Sequence, residues 1–126
     1  MLNLTVIFNS LPFSELSHNS RIDWRKRASL VKQEREYARL IGIQNKGDRQ
    51  APKRAVLYFE FYVSSKRLHD LDNLISSCKA WIDGLKDSGI LSSDDCWHLS
   101  YGYAKVILAK HDETRLIIQG IENETH

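Results

Sequence analysis

Cysteine is scarce in this sequence. The 126 residues contain two, Cys78 and Cys96, too few to staple a secreted fold. Free thiols and a cytoplasmic setting are therefore expected. Long apolar runs are also missing, and none approaches the ~20 residues that a membrane span needs. No membrane association is expected. The opening Leu2-Asn3-Leu4-Thr5-Val6-Ile7-Phe8 alternates and has no basic leader, so it does not read as a signal peptide. There is no internal repeat, low-complexity tract or inter-domain linker, and one domain over 1–126 is expected.

The composition can support a folded core. Apolar residues make up 42% and aromatics 10%, enough to fill a domain of this size. Charged residues at 27% are too few for gross disorder. The net charge of +2 hides an asymmetry. Residues 1–69 hold 13 Lys and Arg against 6 Asp and Glu, and residues 70–126 hold 5 against 10. A basic half beside an acidic half suits a protein that attracts a phosphodiester backbone and gathers carboxylates around a metal. Ordinary surface patterning gives the same asymmetry, so charge alone decides nothing.

Periodicity orders the elements as β-α-β-α-β-β. Leu2 to Phe8 alternates as a strand. Residues 9–22 are loop-like, and Asp23 caps a helix expected from Trp24 to Ile41. Its apolar stripe is Trp24, Ala28, Val31, Ala38 and Ile41, widened by Leu30 and Tyr37. Arg25, Lys32 and Arg39 stand seven apart on the border of that stripe. Residues 44–54 form a polar connection, and Ala55 to Val63 reads as a strand. Leu71 to Lys86 reads as a second helix that buries Leu71, Leu74, Ile75, Cys78, Ile82 and Leu85 and ends at Gly89. Two strands follow, from Trp97 to Lys110 and from Arg115 to Glu122, around a turn at His111–Thr114. The fold class is α+β, one domain with two helices packed on a mixed sheet.

The informative stretch is His69-Asp70-Leu71-Asp72-Asn73-Leu74, followed by Ser92-Ser93-Asp94-Asp95. Asp70 and Asp72 stand where a loop turns into a helix, with Leu71 between them pointing to the core. Either acid can cap the helix, and Asp72 suits the macrodipole. Capping competes with a ligand role. Asp72 is followed on its own helix stripe by Ser76, Lys79 and Asp83, so a lysine can face a phosphate beside these acids. Carboxylates gathered in one place repel unless a cation neutralises them. A hard divalent ion such as Mg²⁺, with Mn²⁺ as an alternative, prefers these oxygens and binds phosphates.

The runs Asp70-Leu71-Asp72-Asn73-Leu74, Lys79-Ala80-Trp81-Ile82-Asp83-Gly84-Leu85 and Gly89-Ile90-Leu91-Ser92-Ser93-Asp94-Asp95 together resemble the core signature of the RusA family of Holliday-junction resolvases. That signature is roughly Asp-x-Asp-Asn, a helix with Lys and Asp-x-Leu, then Gly-x-x-x-Asp-Asp. Leu11-Pro12-Phe13-Ser14, followed by Arg21 and the basic helix, resembles the family's Leu-Pro-Pro-Ser opening, with Phe13 where a second proline is usual. The resemblance covers most of the chain and is strongest over 69–95. It implies a homodimer that binds four-way DNA junctions and nicks strands symmetrically with Mg²⁺. It also implies that Asp70, Asp72 and Asp95 hold the metal, with Asp94 as a further candidate. The family lysine follows the second Asp by four residues, a position taken here by Ser76. Lys79 lies seven beyond Asp72, ~10 Å along a helix axis.

The expected reaction is phosphodiester hydrolysis by Asp70, Asp72 and Asp95, with Lys79 stabilising developing charge. Arg21, Arg25, Lys32, Lys66 and Arg67 are the candidates for contacting the DNA backbone without reading bases. Lys26, Arg27, Lys53 and Arg54 belong to the same basic set. No nucleotide cofactor is expected. Trp81 and Trp97 are expected in the core or a dimer interface, with residues 44–54 and 55–63 as interface sources. Two other readings are a branched-DNA-binding module that does not cut and a zinc site from His69, Cys96 and His98 with Cys78. The zinc spacing matches no common pattern.

Overall fold

A computed structural model describes residues 3–121. Leu2 and Glu122, expected at strand ends, lie outside the described residues. The chain forms β1 (Asn3–Phe8), a single 3₁₀ turn (Ser14–Leu16), α1 (Trp24–Lys46), β2 (Arg54–Val63), α2 (Leu71–Ser77), α3 (Lys79–Ser88), β3 (Leu99–Leu108) and β4 (Glu113–Ile121). This is an α+β domain with a mixed four-stranded sheet in the order β1-β4-β2-β3. β4 runs antiparallel to β1 and β2, and β2 and β3 are parallel. A parallel pair needs a crossover, which α2 and α3 supply.

Period-2 alternation puts Val6 and Phe8, the odd residues Ala55 to Val63, and the even residues Thr114 to Ile118 inside. The helices cover that face. Trp81 of α3 stacks on Phe8 with ring centroids 4.0 Å apart. Its indole N–H donates to the buried Glu34 Oε1 of α1 at 3.0 Å. A buried polar group needs such a partner, and this one ties α1 to α3. The two helices approach closely because Gly84 leaves room: a Cβ there would stand 2.2 Å from the Arg35 carbonyl oxygen.

Three expectations need correction. The second helix is broken at Cys78, whose ψ of −4° departs from the usual −42°. Two side-chain hydrogen bonds one turn earlier accompany the break. The hydroxyls of Ser76 and Ser77 both donate to the Asn73 carbonyl, at 3.2 and 2.6 Å, and such back-bonding competes with the helix ladder. α1 runs to Lys46 rather than Ile41, and its first turn is not part of the core: Trp24 is 69% exposed. β3 starts at Leu99 rather than Trp97, and Trp97 is 80% exposed, so it is not a core residue. β2 has both edges paired, so it offers no free edge to a second copy. No helix among the described residues is long and apolar enough to cross a membrane.

Candidate functional site

The helical segment 71–88 positions most of the acids. Asp70 is the N-cap of α2, its side chain accepting from Asn73 N–H at 3.2 Å. Asp72 follows in the first turn, exposed. The stripe survives the break at Cys78: Asp72, Ser76, Lys79 and Asp83 all line one cavity of about 600 Å³. Leu16 and His18 from the loop after β1, Arg27 and Val31 from α1, Ile75 and Ala80, and Tyr101 from β3 complete it.

Lys79 is the electrostatic centre of this wall. Its ammonium donates to Asp83 Oδ1 at 2.9 Å and to Asp94 Oδ2. Lys86 stands 3.4 Å from the other oxygen of Asp94. The Lys79 hydrogen bond, with help from Asp83 and Lys86, holds the Asp94 carboxyl well below the usual carboxylate range. Burial lowers the Lys79 pKa, but the bonds to Asp94 and Asp83 outweigh it and the net shift is upward. The loop before β3 thus returns Asp94 to Lys79 and Lys86, beyond the helix start where Asp70 and Asp72 stand. Asp95 turns elsewhere. It accepts from Trp97 N–H at 2.9 Å and lies 2.7 Å from His98 Nδ1, and these partners with Ser93 lower its pKa.

Asp70 lines a second cavity, of about 480 Å³, with Arg67, His69, Asn73 and Asp112. His69 Nε2 is buried there and has no hydrogen-bond partner among the described residues. Asp112 was not singled out by sequence. Its carboxylate accepts from the N–H and hydroxyl of Ser64, both at 2.8 Å, fixing the loop after β2. His18 was also missed. Its Nδ1 lies 2.8 Å from Ser76 Oγ, its N–H donates to the same oxygen at 3.2 Å, and Asn19 donates to Asn73 at 2.8 Å. A lone histidine in a polar loop gave no pattern to find it by.

Asp70, Asp72, Asp94 and Asp95 fit Mg²⁺ or Mn²⁺ by donor chemistry, since all offer carboxylate oxygens. Asp70 and Asp72 stand at the head of the helical segment, Asp94 is bonded to Lys79 and Lys86, and Asp95 is bonded to Trp97 N–H and His98. Among the described residues, no three His, Cys, Asp or Glu side chains form a group that could hold a metal ion. The zinc candidates are likewise dispersed: Cys78 is buried in the core, where burial raises its pKa, while Cys96 is exposed and both thiols are free.

Of the basic candidates, Arg21, Arg25, Lys32, Lys66 and Arg67 are all exposed. The Arg25 guanidinium lies 5.1 Å from the centre of the Trp24 ring. Lys66 and Arg67 flank a shallow hollow with Leu68, Val106 and Leu108, and Arg67 also reaches the Asp70 cavity. Arg27 is committed to structure: its guanidinium donates to the carbonyls of Glu15, Leu16 and Ser17, each at 3.1 Å.

No family model matches the chain. A protein of Xylella fastidiosa (strain Temecula1 / ATCC 700964), described as an uncharacterized protein, is 28% identical over 116 residues, covering 90% of this chain and 74% of its own length. The likeness spans most of the domain and brings no activity with it.

Proposed function

We propose that the chain is a Mg²⁺-dependent endodeoxyribonuclease of the RusA type, which resolves Holliday junctions or other branched DNA by paired phosphodiester hydrolysis in the cytoplasm. The observation that carries this reading is the row Asp72, Ser76, Lys79 and Asp83 along one cavity wall, with Asp94 bonded to Lys79 and Asp70 at the head of the same helical segment. Asp70, Asp72 and Asp95, with Asp94, would hold Mg²⁺ or Mn²⁺, which supplies a Lewis acid for the phosphate and a more nucleophilic water. The protein's own groups bind and orient. Lys79 is fixed by two carboxylates yet remains more than half exposed, so its charge faces a phosphate entering the cavity. Lys66 and Arg67 lie just before Asp70 in the chain and position the backbone leading to it. Two symmetric incisions require two sites related by a two-fold axis, which one such domain supplies as a homodimer.

One observation favours a second reading, a branched-DNA-binding protein that does not cut. Lys79 is already paired with both Asp83 and Asp94, and no three ligand groups are gathered among the described residues. A single assay separates the two: a synthetic four-way junction beside linear duplex, with and without Mg²⁺. Symmetric nicking of the junction that needs Mg²⁺ supports the nuclease. Binding without nicking in Mg²⁺ or Mn²⁺ supports the second reading. Failure to bind the junction more tightly than duplex overturns both.

A further inference from the structure

The cavity beside Lys79 is larger and more apolar than a phosphodiester backbone requires. Its volume is about 600 Å³, and Leu16, Val31, Ile75, Ala80 and Tyr101 supply apolar walls. Its polar groups are His18, Arg27, Asp72, Ser76, Lys79 and Asp83. Apolar walls with polar groups among them, at this volume, are the ordinary make-up of a pocket that holds a small ring or similar ligand. The lip is a built structure. Arg27 clamps three consecutive carbonyls of residues 15–17, His18 is bonded twice to Ser76, and Asn19 is bonded to Asn73. Residues 15–19 are thus held in place before any ligand arrives.

Resting on the nuclease reading, we propose that this cavity receives the base of an unpaired nucleotide at the DNA branch point. The ring lies between the apolar walls, with Tyr101 along one side. The Asp83 carboxylate accepts from its amino or imino N–H groups. The strand's phosphate then lies at the mouth beside Lys79. Extrusion of a base is least costly where it is already unpaired, and stacking on an aromatic ring is tolerant of base identity. The preferred substrate class is therefore branched DNA with an unpaired nucleotide at the branch, rather than a fully paired junction.

The test uses the full chain without divalent ions, so that binding is read apart from cleavage. Three four-way junctions are compared: fully paired, with one unpaired thymidine at the branch, and with an abasic residue in its place. The unpaired thymidine is expected to bind roughly tenfold or more tightly than the other two, in line with the worth of stacking one base. Substituting 4-thiothymidine should give photo-cross-links to cavity residues. Val31→Phe narrows the slot and should erase the preference for the unpaired thymidine over the abasic junction. If Val31→Phe lowers the melting temperature markedly, Tyr101→Ala on the exposed strand serves instead. Equal affinity for the thymidine and abasic junctions, or cross-links only outside the cavity, overturns the inference and leaves the nuclease reading standing. No binding to any junction overturns both.

Discussion

Asp70 carries two possible duties that one substitution separates. As the N-cap of α2 it accepts from Asn73 N–H, and asparagine caps a helix about as well. Asp70→Asn therefore keeps the fold and removes only charge. Asp70→Asn, Asp72→Asn and Asp95→Asn are each expected to abolish junction cleavage and leave junction binding intact or tighter, because less negative charge opposes the phosphate. Wild-type turnover by any one of them would remove that residue from the site. Lys79 and Asp94 report through stability instead. The Asp94 carboxyl is held below its ordinary range by Lys79, so its contribution is present above the unfolded carboxylate value of about 4 and is lost as pH falls below that. Lys79→Met should cost about 0.2–1 kcal/mol at neutral pH, the range for a partly exposed ion pair. The gap to wild type should close as pH drops from about 4 towards 2. Urea denaturation at both ends of that window reads it, and a constant gap would show that the pair does not stabilise the fold.

At the scale of elements, the crossover from β2 through α2 and α3 to β3 decides which acids can meet. Gly84 lets α3 lie against α1, since a Cβ would meet the Arg35 carbonyl oxygen at 2.2 Å and Ala38 Cβ at 2.7 Å. Gly84→Ala is expected to destabilise by about 1–3 kcal/mol, as overpacking does, despite alanine's better helix propensity. Thermal unfolding measures the sign, and a more stable variant would mean that the helices can part at little cost. The strands were legible because alternation is local: Val6 and Phe8, or Leu57, Phe59 and Phe61, mark the buried face by themselves. The stripe Asp72-Ser76-Lys79-Asp83 was legible for the same reason, as a helical repeat. The break at Cys78 was not, because the apolar spacing of Leu71, Leu74, Ile75, Cys78, Ile82 and Leu85 runs straight through it. Nor was the exposure of Trp24 and Trp97, since apolar spacing cannot say where a helix or a strand begins to pack on the core. The place of Asp94 was open as well: a seven-residue return from Ser88 can reach several points along the helix, and only packing puts it on Lys79 and Lys86.

The molecule as a whole keeps its charge asymmetry in three dimensions only in part. Several basic residues of the first half are already bonded within the molecule: Arg27 to carbonyls, Arg35 to Asp87, Arg39 to Glu36. The seven-residue row on α1 therefore loses Arg39 to its own helix and keeps Arg25 and Lys32. Lys66 and Arg67 remain exposed at the end of β2, and Arg67 shares a cavity with Asp70. A phosphate near Asp70 would meet Arg67, and no α1 residue lines that cavity. Binding to a four-way junction should weaken with salt at a slope of about −0.9 per phosphate neutralised. Lys66→Ala with Arg67→Ala is expected to flatten that slope by one to two such steps, and Arg25→Ala with Lys32→Ala to flatten it less. Neither pair makes an ion pair among the described residues, so melting temperatures should hardly move and the slopes compare folded proteins. The reverse ranking would transfer the DNA path to the outer face of α1, across Trp24 and Lys32. Unchanged slopes in both variants would remove the basic half from the interface, because a protein that neutralises phosphates with these side chains must release fewer counterions when they are gone.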